Sequence, residues 1–424
     1  MKGGHVVAEN SQSVERKRRW QSLFASFSGW TLDAMDWMFL ALCLPMIGKT
    51  FDLSLPSMGL LATATIAGSA IGGMAGGFVA DKYGRVRMLT WTMTGYAIFT
   101  ALCGFAQSFE QLLILRILVG IFLGGEWGAG ASLVSEYWPE KYRARATAFV
   151  HSGWAVGYGL ASFFFMNIVP VFGWRALFWV GIIPAIVAVI IRLNVPEPEQ
   201  WVKSKELAST NAQSVKTPSS IIFSKAYLSR TILATILSSS MLLAYWGSAS
   251  WLPSYLLKTQ GLSIVSTGIF LILLNAGAFC GHLSLGTLAD KKGRRWTFMI
   301  GLGASIIVTI IYVMIKDPQV LLLFGFVFGF FTYGYFGTMG AYLSELFPVE
   351  ARASGVSFTF SAGRFVSMSS PYIIGWIGTA YGLAMGIGVT AAFYLIGMIV
   401  TWMLPETRQQ VAVAEESQVL SSKA

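Results

Sequence analysis

Four ionisable residues lie inside long apolar runs of this 424-residue chain: Asp33, Asp36, Arg116 and Arg364. A charge held in hydrocarbon costs roughly 2.5–3.5 kcal/mol on the insertion scale, so such residues mark ion or substrate pathways by default. Asp33 and Asp36 are three residues apart, which puts both carboxylates on one face of a helix. Two acids that close resist ionising together, and low-dielectric surroundings disfavour the charged form further. One of them is expected to exchange protons near neutral pH. We read Asp33 as the carrier and Asp36 as held ionised by Arg116. Exchanged roles, or a purely structural charge cluster, are the alternatives. Arg364 has no acid near it in sequence. Its planar fork suits a carboxylate, so it reads as the anchor of an anionic substrate; a structural pair with another helix is the alternative. Glu126, in the run GGEWGAG, could relay the proton or pair with a loop arginine. Asn275, Tyr245, Trp246, Tyr333 and Tyr335 fall at mid-depth on second-half helices and are candidates to line a cavity. His151 and His282 read as packing residues.

These side chains need long apolar helices to hold them. Hydrophobic residues make up 55% of the chain and charged residues 12%, about half the charged share of a typical soluble protein. The mean hydropathy is +0.62. A helix needs about 20 mostly apolar residues to cross a bilayer. Twelve stretches qualify: 24–47, 56–80, 88–106, 110–134, 147–169, 174–194, 229–256, 263–288, 297–315, 319–343, 354–379 and 381–404. The polar segment 195–228 reads as a cytoplasmic linker between two six-helix bundles, 23–194 and 229–404, with cytoplasmic tails at 1–22 and 405–424. The run that begins near residue 24 is too long for a signal-peptide core, so no processing is expected. With the N-terminus inside, 24 of the 30 Lys and Arg residues fall in inner segments and 4 in outer loops. That asymmetry places both ends in the cytoplasm and explains the net charge of +10 without nucleic acid. The three cysteines lie apart in apolar runs and read as packing residues, not as a redox or metal site.

Depth follows from orientation. Asp36 lies about twelve residues into a span that starts inside, roughly 18 Å from the cytoplasmic face at 1.5 Å per residue. Arg116 lies about six residues into a span that starts outside, roughly 21 Å from that face in a ~30 Å core. The two depths match and predict an Asp36–Arg116 pair. Arg364 falls roughly 16 Å deep on the same scale.

One offset, 209 residues, superimposes the halves. Gly77–Asp81 with Lys82, Gly84 and Arg85 meets Gly286–Asp290 with Lys291, Gly293 and Arg294. Ser135, Glu136, Pro139, Arg143 and Ala144 meet Ser344, Glu345, Pro348, Arg352 and Ala353; Pro196-Glu197 meets Pro405-Glu406; Trp37 meets Trp246. An even number of spans per copy gives both copies one orientation. Transporters with such parallel repeats bind substrate near the midplane between the halves. Asp81, Arg85, Asp290, Arg294, Glu136, Arg143, Glu345 and Arg352 then form a cytoplasmic gate whose acids accept from arginines or helix N-termini. The offset maps Asp33 and Asp36 to Leu242 and Tyr245, and Arg364 to Ala155. The copies share a scaffold and not their charges.

The twice-repeated loop G-x-x-x-D-[RK]-x-G-[RK] resembles the signature of the major facilitator superfamily, and the likeness runs from end to end. WTLDAMDWMFL at 30–40, RILVGIFLGGEWGAG at 116–130 and SEYWPEKYRARA at 135–146 resemble its proton-coupled carboxylate symporters, importers of sialic acid, short monocarboxylates and aromatic acids. That branch carries Asp-Gly-Phe/Tyr-Asp in the first span, where this chain has Asp33-Ala34-Met35-Asp36. The acids are kept and the glycine is not, so the identity of the substrate does not transfer.

The expectation is an all-α, twelve-span secondary transporter in the plasma (cytoplasmic or inner) membrane. It would import a small organic anion with protons by alternating access, without cofactor or metal, as a monomer in the bilayer. A proton-coupled exporter on the same scaffold is the alternative, followed by a channel or a receptor. An enzyme is excluded because no nucleophile stands beside a base and no phosphate loop is present.

Overall fold

The computed structural model of the chain describes residues 2–124, 138, 140–182, 186, 221–348 and 351–407, with side chains described from Arg19 onward. The first half contains α1 (Lys2–Thr50), α2 (Leu55–Tyr83), α3 (Arg85–Cys103), α4 (Phe109–Gly124) and α5 (Glu140–Val180). α5 is two helices that meet at Gly173, whose φ of 75° breaks the helix. The second half contains α6 (Leu228–Ser254), a π-helical turn at Tyr255–Thr259, α7 (Ile264–Lys292), α8 (Arg294–Met314), α9 (Pro318–Thr332), α10 (Phe336–Glu345), α11 (Arg352–Ser367), α12 (Ser370–Tyr381) and α13 (Leu383–Met403). Among the described residues, eight helical stretches are long and apolar enough to cross a membrane. The expected linker lies outside the described residues up to residue 220, as does the C-terminal tail from residue 408.

The 209-residue repeat is present in space as well as in sequence. α2 and α4 cross with glycine against carbonyl. A methyl group on Gly68 would sit 2.3 Å from the Ile117 oxygen, on Gly72 1.8 Å from that of Ile121, and on Gly120 2.1 Å from that of Thr65. α7 and α9 repeat this residue for residue. A methyl group on Gly277 would sit 2.0 Å from the Phe326 oxygen, on Gly281 2.3 Å from that of Phe330, and on Gly329 1.9 Å from that of Leu274. Only glycine admits backbones this close, and small residues at helix crossings replace the hydrophobic drive that lipid removes. The next pair breaks the symmetry. Gly124 meets the Ser69 oxygen, but its counterpart is Tyr333, and there the second-half span is interrupted between α9 and α10. Ser305 Oγ donates to the Phe331 carbonyl at 3.0 Å beside the interruption, so a backbone acceptor at mid-span keeps a donor.

Two compact units partition the chain: residues 1–40 with 64–214, and residues 41–63 with 215–424. In the second unit, a methyl group on Gly59 would meet the Pro371 oxygen at 2.5 Å, and one on Gly375 the Leu55 oxygen at 2.8 Å. Trp251 Nε1 donates to that Pro371 oxygen at 2.8 Å. The core of this unit joins Leu237 and Met241 of α6, Phe298 and Leu302 of α8, Tyr342 of α10 and Tyr394 of α13.

Sharp corners join α2 to α3 and α7 to α8. Gly84 (φ 111°) and Gly293 (φ 106°), 209 residues apart, adopt the same left-handed backbone. That conformation explains the glycine in the repeated loop, because it strains any residue with a Cβ.

Candidate functional site

α1 carries Asp33 and Asp36 into the first unit, 2% and 3% exposed. α4 brings Arg116 to Asp36: guanidinium Nη1 stands 3.7 Å from Asp36 Oδ2, with Arg116 fully buried. α3 supplies the remaining partners. Thr100 Oγ1 donates to Asp36 Oδ1 in a short hydrogen bond. Arg116 Nε and Nη2 each lie 3.4 Å from Cys103 Sγ. Phe178 of α5 closes the cation, its ring centre 5.2 Å from Cζ. The ion pair is longer than a hydrogen bond, so the attraction is chiefly electrostatic. Thr100 and Cys103 carry no charge and left no mark in the sequence beyond their spacing.

The second unit supplies an internal comparison. The offset maps Asp36, Arg116, Thr100 and Cys103 to Tyr245, Gly325, Thr309 and Tyr312. There the volume of the missing guanidinium is filled by rings. A methyl group on Gly325 would lie 2.8 Å from Phe270, which packs 6.0 Å from Tyr312; Tyr312 in turn packs 4.6 Å from Phe328. The same scaffold thus packs with no charge at these positions.

Three of the predicted second-half aromatics come together. Tyr245 is 5.2 Å from Trp246 and 4.8 Å from Tyr333, between ring centres, with Phe336 at 5.4 Å. Tyr333 OH and Ser248 Oγ are 3.3 Å apart. Tyr335 instead enters the core, between Phe298, Phe336 and Tyr394. Asn275 Nδ2 donates to the Leu271 carbonyl of its own helix at 2.7 Å. Arg364, half-buried in the last turn of α11, stacks over Phe360 at 5.3 Å. The adjacent Gly363 packs on Ser238 and Ser239 of α6.

Of the residues expected to form a gate, Arg294 and Glu345 form an ion pair, Nη2 to Oε1 at 3.2 Å, with Nε 3.3 Å from the same oxygen. Glu406 Oε1 and Oε2 accept from the backbone N–H groups of Arg294 and Arg295 at 2.8 and 3.1 Å, and so cap the N-terminus of α8. Thr407 Oγ1 donates to Glu345 in a short bond. Arg352 Nε donates to the Ser344 carbonyl at 3.1 Å. Sequence reasoning missed the roles of Glu406 and Thr407, although the Pro-Glu pair repeated at the constant offset was the available signal. Asp81, Arg85, Asp290 and Arg143 lie on described helices, but their side chains lie outside the described residues, as do Glu126 and Glu136 entirely.

The family model for the Major Facilitator Superfamily matches residues 26–316 and again 276–423. The chain belongs to the Major Facilitator Superfamily. It is a multi-pass membrane transporter and not an enzyme. A "Putative metabolite transport protein" of Haemophilus influenzae is 35% identical over 393 residues, 92% of this chain and 97% of that protein. A "Cis,cis-muconate transport protein" of Acinetobacter baylyi is 32% identical over 407 residues, 95% of this chain and 98% of that protein. A solved D-xylose-proton symporter shares the fold, with a TM-score of 0.73 at 18% identity over 92% of this chain and 98% of that one.

Proposed function

We propose that this transporter imports a small organic carboxylate together with protons. The observation that carries the reading is the unshared ion pair: Asp36–Arg116 is fully buried in one copy of the repeat, and the other copy packs without it. A buried ion pair is weak evidence for stability, because desolvation offsets most of the attraction. A charge pair the scaffold does not need is kept for what it does. Asp33 lies one turn away on the same helix, and two carboxylates at that spacing favour holding a proton between them. Arg364 in the other copy supplies the cation for the substrate's carboxylate. The muconate transporter of Acinetobacter baylyi supports a dicarboxylate or unsaturated acid as cargo.

In this cycle the outward-open protein takes a proton on the Asp33/Asp36 pair and the anion on Arg364. The proton and the anion each neutralise a charge within their own unit, so closing the protein strands less charge in low dielectric. Both then leave to the cytoplasm. The protein works in the plasma membrane of its cell, with both termini inside. The test is uptake by proteoliposomes under an imposed pH gradient, acid outside. Accumulation of an acid such as cis,cis-muconate or benzoate above its external concentration is expected. Asp33→Asn is expected to abolish accumulation and to keep exchange of labelled for unlabelled substrate. Accumulation by that variant, or gradient-independent equilibration by the wild type, overturns the proton assignment.

A further inference from the structure

In the second unit α8 begins where α13 ends, since Glu406, just past α13, caps the N-terminus of α8. Both helices turn an apolar stripe outward. On α8 the exposed residues Trp296, Ile300 and Ile307 follow at helical spacing, and on α13 Ile399 and Trp402 do so. In a membrane protein these stripes face lipid. Each ends in a tryptophan, Trp296 56% and Trp402 58% exposed. Tryptophan gathers where hydrocarbon gives way to headgroups, so the two rings mark one membrane boundary of this unit.

Arg295 precedes one ring and rests on the other. It is half-buried, and its Cζ lies 4.6 Å from the centre of the Trp402 ring. The two carboxylates at this corner are taken by other donors. Glu345 pairs with Arg294 and accepts from Thr407 Oγ1. Glu406 accepts from the backbone N–H groups of Arg294, Arg295 and Thr407. Among the described residues the Arg295 guanidinium has no hydrogen-bond or ion-pair partner, nor has exposed Lys292 at the turn into α8. An exposed lysine is solvated and needs none. A guanidinium held on a ring is different: the stack covers one face and leaves the in-plane N–H donors directed at whatever lies beside the ring. At this depth that is the headgroup layer. Glu406 fixes the backbone of Arg295 and Trp402 fixes its head, so little freedom remains to be lost on binding.

We infer that Arg295, seated on Trp402 with Lys292 at the same corner, forms a binding site for an anionic phospholipid. The guanidinium fork takes two phosphate oxygens. The acyl chains lie along the exposed stripes of α8 and α13. A zwitterionic lipid brings its own ammonium and offers this corner less net charge. The stripe alone would take any lipid and the cation alone any anion; their junction at the two tryptophans selects a lipid that is also an anion.

The test titrates the full chain, purified in neutral detergent, with dioleoylphosphatidylglycerol or dioleoylphosphatidylcholine and reads bound lipid by native mass spectrometry. The wild type should bind phosphatidylglycerol about fivefold tighter than phosphatidylcholine, the attraction of one interfacial basic residue. Arg295→Gln should remove that preference. Trp402→Leu should weaken phosphatidylglycerol about threefold. Lys316→Gln makes the same change of charge beyond the far end of α8 and should bind as wild type. Equal wild-type affinities for the two lipids overturn the inference, as does wild-type affinity in Arg295→Gln. If that variant does not fold, wild-type affinity in Trp402→Leu overturns it. A loss in Lys316→Gln equal to that in Arg295→Gln overturns it too, because the attraction is then diffuse charge. Displacement of the lipid by an equal concentration of inorganic phosphate would leave a site for the free anion and remove the lipid from it.

Discussion

Removing one member of the Asp36–Arg116 pair should be far more damaging than removing both. At 3.7 Å and an effective dielectric of about 20, the attraction is 332/(20 × 3.7), or about 4–5 kcal/mol. Taking away one partner costs the other this attraction while it stays buried, a loss of about 3–5 kcal/mol. Asp36→Asn takes the carboxylate at 3.7 Å from a fully buried guanidinium; Arg116→Gln takes the guanidinium from a buried carboxylate that keeps Thr100. The double variant Asp36→Asn/Arg116→Gln removes both charges together. The amide of the new Asn can still meet Thr100, and the second unit shows that the scaffold packs with neutral side chains at these positions. In thermal melts in one detergent, both single variants should melt well below the wild type, and the double variant should recover most of the difference. In proteoliposomes, none of the three should accumulate substrate under a pH gradient. A double variant no more stable than the singles would refute the electrostatic reading of the pair. A stable double variant that still concentrates substrate would remove the pair from coupling.

Further outcomes follow from other parts of the molecule. Arg364→Lys keeps the charge and loses the fork, so acid affinity measured by binding should drop about tenfold or more while folded yield stays level; unchanged affinity removes Arg364 from the site. Gly277→Val drives a side chain into the Phe326 carbonyl and should lower stability by about 1–3 kcal/mol or more, seen as lost monodisperse protein on size exclusion. Gly286→Ala is its control, with nothing within 4 Å of the added methyl, and should behave as wild type. Glu406→Ala removes the cap on α8 and should reduce stability by about 0.5–2 kcal/mol; a melting temperature equal to that of the wild type would deny the cap a structural role.

The elements were legible because hydrocarbon imposes a coarse rule: long apolar runs, with basic residues on one side. The repeat was legible because loops and helix crossings reuse the same special backbones. Gly84 and Gly293 share a left-handed corner, and Gly68 and Gly277 share a crossing. Depth arithmetic brought Asp36 and Arg116 together because a helix has a fixed rise. It could not find Thr100 and Cys103, since neutral small residues on a third helix announce nothing. Nor could it separate Tyr245 and Tyr333 from Tyr335. All three lie at similar depth, and rotation about the helix axis decides which ring meets the core; the interruption at Tyr333–Tyr335 sets that rotation. Glu406 was visible only as a repeated pair of letters, because a cap depends on where the chain returns after the last span.

Residues 41–63, the C-terminal end of α1 and the start of α2, group with the second half of the chain. The order of assembly along the polypeptide therefore differs from the order of packing. A fragment beginning at the polar linker would lack the Leu55 and Gly59 backbone on which Gly375 and Pro371 rest. It would be left with a groove where that hairpin belongs. Two fragments cut at the linker should be soluble in detergent only when made together. The useful place to divide this protein is then not the longest polar stretch in its sequence.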